Sequence, residues 1–281
     1  ARFSIAAVAL LPLLRTPADE TTDGTTAEPA LPRDLVVGGL ECGCWLALGY
    51  IAQALALQDA QAGVVAFIAS LQVVFVPLVL TAFGQPATQR LVAAAALAVS
   101  GVALLELGAG SSADSSTSAQ LLALLQPVGF GTSYLRIEAL MRRYPDRALQ
   151  LSALQLISNA LISLLWLGVA MVAFGEHVEL QALRQPAVSA GLLWTSLVST
   201  ALTVLLQTRA LARLPATDSS VIVSTEPLWA ALFAALLLGE SLDATEMAGG
   251  GLILAGCLAN TILPPQFLSA AFPRSAAKGG V

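Results

Sequence analysis

Nine strongly apolar stretches, most of them about twenty residues long, follow one another along this chain and leave it few ways to fold. Roughly 20 residues of helix, rising about 1.5 Å each, cross the hydrocarbon of a bilayer. Hydrocarbon offers a backbone no hydrogen bonds, so each stretch must satisfy its own peptide groups as a helix. The stretches run over 3–14, 35–57, 62–83, 90–109, 119–140, 149–174, 188–211, 216–239 and 245–263. Several of the connections between them are only four or five residues long, which makes the neighbours antiparallel. Charged residues make up 11% of the 281 positions and hydrophobic ones 57%, with a net charge of −5. Soluble domains carry roughly 25% charge, and a soluble chain this apolar would expose its surplus to water. The expectation is an all-α integral membrane protein with about nine transmembrane helices, and no nucleic acid as a partner.

Polar segments punctuate the stretches. Residues 16–34 (TPADETTDGTTAEPALPRD) read as a flexible acidic loop, and 108–118 (GAGSSADSSTS) as a low-complexity linker. Asp243-Ala244-Thr245-Glu246 has the form of a capping box opening the last helix. The first stretch, with 12 residues, is too short to cross alone. Flanked by Arg2 and Arg15 and without a clear cleavage site, it reads as a truncated span rather than a signal peptide. The chain is therefore expected to be a fragment that has lost one or more spans before Ala1.

Basic residues orient the bundle. If every stretch crosses, one side collects Arg15, Arg33, Arg90, Arg136, Arg142, Arg143, Arg147, Arg209, Arg213, Arg274 and Lys278, eleven of the 13, and the other only Arg2 and Arg184. The positive-inside rule then puts the C-terminus in the cytosol, in a plasma or an organelle membrane. Arg142, Arg143 and Arg147 read as interfacial anchors. Glu41, Glu106, Glu138 and Glu240, near span ends, read as solvated caps.

The two halves repeat one another. Gln53, Ala56, Leu57, Ala62, Ile68 and Ser70 recur 154 positions later as Gln207, Ala210, Leu211, Ala216, Ile222 and Ser224. After a one-residue shift, Gly84 matches Gly239 and Gly101 matches Gly256. The corresponding stretches lie five crossings apart, an odd number, so the copies thread the membrane in opposite senses. Such inverted repeats are characteristic of secondary transporters, whose substrate sites lie near the midplane.

Two of these stretches, VVAFIASLQVVFVPLVLTAFG (64–84) and ATDSSVIVSTEPLWAALFAALLLGESL (216–242), resemble the signature spans of EamA-type transporters in the drug/metabolite transporter superfamily. RFSIAAVALLPLL (2–14) and GGLILAGCLAN (250–260) are similar to the same family. The resemblance implies ten helices in two inverted five-helix repeats with both termini cytosolic, of which this sequence shows nine. It also implies a transmembrane transporter of small metabolites. On that reading 1–109 is the first repeat, 110–118 a linker, 119–263 the second repeat and 264–281 a cytosolic tail.

Polar side chains inside apolar stretches are the candidate site. Glu226 lies near the middle of its stretch, where a charged carboxylate costs about 2.5–3.5 kcal/mol, so it is expected to face a cavity or to be protonated. Pro227 frees the carbonyl of Val223, and Trp229 shares the face of Glu226. The repeat maps Glu226 onto Gln72 and Trp229 onto Phe75. A central pathway lined by Gln72, Phe75, Glu226 and Trp229 is weighed against a structural glutamate that ties two helices together. Gln53, Gln126, Tyr134, Gln155, Asn159 and Gln207 are further candidates. Of these Gln126 stands out, because Pro127, Gly129 and Gly131 should break its helix; for each of them an ordinary interhelical hydrogen bond is the plainer reading.

Small residues at Ala94 and Ala98, at Ala96 and Ser100, and at Gly251, Ala255 and Ala259 read as packing stripes, with a homodimer contact as the second reading. Cys42, Cys44 and Cys257 have no paired spacing and His177 is the only histidine, so the cysteines read as small buried side chains and no metal or other cofactor is expected. A membrane enzyme is the alternative reading, beside a receptor or scaffold bundle. A zincin needs two histidines, a retinal protein a lysine inside a span, and an aspartyl protease two buried aspartates. The only lysine is Lys278, and the eight aspartates lie in loops or near span ends, Asp59 and Asp218 closest to lipid. No Walker loop is present, which argues against ATP-driven transport.

Overall fold

The computed structural model describes residues 1–14, 31–84, 89–109, 117–173, 175, 180–214, 226–233, 236–237, 239 and 243–262. Several expectations lie outside these residues: most of the acidic loop and of the linker, His177, Ala216, Asp218, Ile222, Val223, Ser224, Glu240 and the tail, together with the side chains of Arg90, Glu106, Glu246, Cys257 and Ala259.

Every described element is helical. In chain order they are α1 (Arg2–Leu10, continued by a 3-10 turn, Leu11–Leu14), α2 (Arg33–Asp59), α3 (Ala62–Ala69), α4 (Gln72–Ala82), α5 (Gln89–Ala109), α6 (Thr117–Ala123) and α7 (Leu125–Arg143). A short 3-10 turn, Pro145–Arg147, leads into α8 (Ala148–Ala173). After another, Leu180–Arg184, come α9 (Pro186–Ser196), a π-helical segment (Leu197–Leu202), α10 (Thr203–Leu211), α11 (Glu226–Phe233) and α12 (Ala244–Ile262). Among the described residues, four helical runs are long and apolar enough to cross a membrane: Arg33–Asp59, Ala62–Ala82, Pro145–Ala173 and Pro186–Leu211. Val92–Leu104 and Met247–Gly256 are shorter apolar helical stretches. Helix α12 starts directly after Asp243, where the capping-box pattern put its beginning.

Three irregularities interrupt the apolar stretches. Between α3 and α4 the chain tightens at Ser70 and Leu71, and the Ser70 hydroxyl donates to the Phe67 carbonyl at 2.6 Å. The expected break near Gln126 falls earlier, at Leu124; Pro127 sits in the first turn of α7, where a missing N–H costs little, and the helix continues through Gly129 and Gly131. The hydroxyl of Thr200 in the π segment and that of Thr203 just after it reach carbonyls five residues back, those of Thr195 and Val198, at 2.8 and 3.1 Å.

The chain forms two compact units, Ala1–Ile51 with Val128–Ser219 and Ala52–Pro127 with Ser220–Val281. Each takes segments from both halves of the sequence. In the first unit, α1 packs on α8 and on the π segment, with Ala6, Ala7, Leu10, Ala153, Leu156, Ala201 and Val204 buried together. Helix α2 lies against α7 and α8 through glycines. A Cβ on Gly43 would stand 2.3 Å from the Gln155 carbonyl oxygen, and one on Gly129 would stand 2.7 Å from that of Trp45. Ion pairs add to this seam where α7 ends, joining Arg136 to Glu41 at 2.5 Å and Arg143 to Asp34 at 2.8 Å. Arg142 pairs with Glu138 within α7. Glu41 and Glu138, expected as solvated caps, are thus partners of arginines.

In the second unit, α3 packs on α6 and α11, and α5 on α12. A Cβ on Gly101 would meet the Gly249 carbonyl oxygen at 2.6 Å and Ile253 at 2.7 Å; one on Gly256 would meet the Ala94 carbonyl oxygen at 2.8 Å and the Ala98 nitrogen at 3.3 Å. As α5 advances from Ala94 to Gly101, its contacts on α12 run backward from Gly256 to Gly249, so the two helices are antiparallel. Ala94 and Ala98 are buried, as their spacing suggested. The stripe at Gly251 and Ala255 is exposed instead, because α12 presents Gly249, Gly250, Ile253 and Gly256 to its neighbours. Gly84 and Gly239 both hold positive φ, 97° and 70°, which a side chain would strain.

Gly43→Ala is expected to destabilise the protein by about 1–3 kcal/mol, because the atom in the way is backbone and cannot swing aside. Gly251→Ala, which meets nothing within 4 Å, should leave the melting midpoint in detergent unchanged. Circular dichroism melts of the two variants give the comparison.

Candidate functional site

The apolar stretches carry amide side chains that are buried yet find no complete set of partners among the described residues. In the second unit, Gln72 on α4 is 4% exposed, Gln120 on α6 1% and Gln126 on α7 0%. The Gln72 Oε1 and both amide atoms of Gln120 and of Gln126 have no hydrogen-bond partner. Leu71 and Leu124 pack against one apolar cluster built on Val64, Ile68, Ala123 and Ile253. Gln72 directly follows Leu71 in the chain, and Gln126 lies two residues after Leu124. An unpaired polar group in so apolar a setting costs about 1–3 kcal/mol.

A second polar strip lies in the first unit, along α8. Gln155 Nε2 donates to the Thr208 hydroxyl at 3.3 Å, and its Oε1 is unpaired. One turn on, Asn159 Oδ1 accepts from Ser163 at 3.3 Å while its Nδ2 is unpaired. Between them Ser158 sits 3.5 Å from the Cys44 sulfur, and on α7 the Ser133 hydroxyl donates to the Cys42 carbonyl at 3.3 Å. Cys42 is buried and Cys44 exposed, both as free thiols. Tyr134 is buried on α7.

Six of the seven residues singled out for the pathway fall in the second unit: Gln53, Gln72, Phe75, Gln126, Glu226 and Trp229; Gln207 belongs to the first. Gln72 and Phe75 share α4, whereas Glu226 and Trp229 share α11, which packs on α3. Phe75, Gln53 and Gln207 are half-buried. Glu226 opens α11 on an exposed face, and Trp229, one turn later, is 59% exposed. The glutamate–tryptophan pair therefore lies on an open face of its helix, while Gln72, expected as the counterpart of Glu226, is enclosed. Sequence reasoning missed Gln120, Ser158 and Thr208. Gln120 lies in the first described helix after the linker, too close to its polar residues to stand out. Ser158 and Thr208 pass for small filler until a partner helix comes alongside. Among the described residues no group of three or more His, Cys, Asp or Glu side chains is placed to hold a metal ion.

Comparison with known proteins extends these observations. The profile of the EamA-like transporter family matches residues 117–262, 146 of the chain's 281 positions and so more than half of it. Among solved structures, 16 chains match. One of them, a crystal structure described simply as that of a protein, has a TM-score of 0.59 at 16% identity, over 92% of this chain and 85% of its own. At that identity the likeness speaks to the fold alone. No match is found among curated proteins. Apolar helices of spanning length, buried amides along them and a family profile over residues 117–262 point the same way: this chain belongs to the EamA-like transporter family, and is a multi-pass membrane protein of transporter rather than enzyme lineage.

Proposed function

We propose that the protein is a secondary transporter or facilitator that carries small metabolites by alternating access. Two inverted repeats, 1–109 with four apolar stretches and 119–263 with five, together cross the bilayer about nine times, with the C-terminus in the cytosol. The observation that carries this reading is the reciprocity of α5 and α12. The repeat aligns Gly101 with Gly256, Ala94 with Gly249 and Ala98 with Ile253. Gly101 approaches Gly249 and Ile253, while Gly256 approaches Ala94 and Ala98. Exchanging the two helices returns the same set of contacts, and the helices run antiparallel, as copies threaded in opposite senses must. Two such copies supply a pair of conformations of comparable energy, one open to each side, and alternating access requires that.

The pathway in this reading is lined by Gln72, Phe75, Gln126, Glu226 and Trp229, with Gln53 and Gln207 as the equivalent pair near the ends of their spans. The unpartnered amides of Gln72 and Gln126 support it, since a solute's polar groups would complete them. Amides and one acid suit amino acids, amines, organic acids, nucleosides or sugar derivatives.

Purified protein in liposomes should accumulate a solute of one of these classes, found by a thermal-shift screen against a metabolite library. Absence of uptake for every stabilising solute would exclude transport. Gln126→Met removes a buried amide without changing volume much, so the melting midpoint should hold or rise. If the amide contacts solute, uptake should fall by about tenfold, the worth of one hydrogen bond of roughly 1.4 kcal/mol. An uptake rate equal to the parent's would take Gln126 out of the pathway. For Glu226 the readout is pH dependence. Glu226→Gln should flatten the dependence of uptake on pH if the carboxyl carries a coupling proton, and an unaltered profile would remove that role.

A further inference from the structure

At one end of the first unit lies a cleft of about 610 Å³ that the transport reading does not use. The turn between α7 and α8 forms one wall, with Asp146, Ala148 and Leu149. The end of α10 forms the other, with Leu206, Arg209 and Arg213. The volume falls in the range of sites that hold small molecules, roughly 300–1,000 Å³. The cleft occupies the place where two apolar spans, Pro145–Ala173 and Pro186–Leu211, respectively begin and end.

Three features give it a chemical preference. Arg209 and Arg213 are four residues apart and lie on one face, held there as the chain turns with the Arg213 N–H on the Ala210 carbonyl at 2.9 Å. Their charge is available. Arg136, Arg142 and Arg143 are each held by a carboxylate, whereas among the described residues neither Arg209 nor Arg213 forms an ion pair. The cleft is also amphiphilic. Leu206, one turn before Arg209, is 54% exposed, and Leu202, one turn before that, 46%. An apolar strip thus leads along the span and ends at two forked cations.

We propose that this cleft is a phosphate site in which Arg209 and Arg213 clamp the phosphate group of a ligand at the membrane boundary. Paired guanidiniums match the tetrahedral oxygens of phosphate, and they bind it through charge-assisted hydrogen bonds. The leucine strip gives an acyl chain a place to lie, which favours an anionic phospholipid over a free phosphate ion as the source, in line with basic pockets between spans that hold lipid head groups. Asp146 opposes the anion from the facing wall and keeps the site from taking several negative charges at once. The proposal does not rest on transport activity, because binding is read without it.

The test is a thermal-shift titration of the full chain in a neutral detergent at fixed ionic strength. Three additives are compared: phosphatidylglycerol, diacylglycerol of the same acyl chains, and inorganic phosphate. Phosphatidylglycerol should raise the melting midpoint saturably and diacylglycerol should not. For Arg209→Gln/Arg213→Gln the half-saturating concentration should rise by about tenfold, and for Asp146→Asn it should fall by about threefold, as expected for charge-assisted contacts. Arg142→Gln/Arg143→Gln, which removes as much charge from the same end of the protein, should leave it unchanged. A shift by inorganic phosphate alone that needs Arg209 and Arg213 would keep the phosphate site and identify free phosphate as its source. Equal loss in the two double variants would mean diffuse attraction to a basic surface and would overturn the proposal, as would equal shifts with diacylglycerol. Should the Arg209/Arg213 variant fail to fold, Asp146→Asn decides: a half-saturating concentration no lower than the parent's overturns it.

Discussion

The carbonyl oxygen of Gln155 occupies the space in which any Cβ on Gly43 would have to stand. That contact, repeated in kind where Gly129 meets Trp45 and where Gly101 meets Gly249, is what the architecture depends on. Apolar helices surrounded by lipid gain little from touching one another, since lipid tails are as apolar as leucine. Close approach changes the balance. With no side chain in the way, the backbones come near enough for dispersion to favour protein over lipid, and the polar strip of α8 is carried in against its partners. Gln155 can reach Thr208, and Ser158 can reach Cys44, because α2, α8 and α10 stand at glycine distance or are braced by helices that do.

The helices themselves were plainly legible. A stretch such as 149–174 can only be a helix if it crosses lipid, and α8 runs Ala148–Ala173. Length and polarity decide that without reference to any neighbour. Local detail was not legible for the opposite reason. Pro127, Gly129 and Gly131 suggested a broken helix, but a proline in a first turn is tolerated and Gly129 is there for α2 rather than for a bend. The π segment at Leu197–Leu202 leaves no mark in composition, since its hydroxyls are placed by a backbone register that hydropathy does not report. Small residues read as packing stripes were right at Ala94 and Ala98 and misdirected at Gly251 and Ala255. Any one face of a glycine-rich helix looks like any other until its partner is known.

The candidate site shows the same division. Gln72, Gln126 and Glu226 stood out because polarity is costly in an apolar stretch, and that signal is intrinsic to the sequence. Whether each is enclosed or open is a property of neighbours, and Gln72 and Glu226, expected as counterparts, differ in that respect. The expectation gathered eleven basic residues on one side of the bundle, and counting treats them alike. Only the fold separates those held by Glu41, Glu138 and Asp34 from the two that face the cleft.

Each compact unit draws on both halves of the chain, which sets an order on its assembly. Residues Ala52–Pro127 belong with Ser220–Val281, and the whole of Val128–Ser219 must be synthesised between them. At about 5–20 residues per second that interval lasts roughly 5–20 s on a ribosome. Throughout it, Ala94, Ala98 and Gly101 of helix α5 are without the helix they pack against. The glycine surface that later makes the tightest seam of the second unit is, for that time, an open adhesive face. Insertion machinery or lipid has to cover it until α12 arrives.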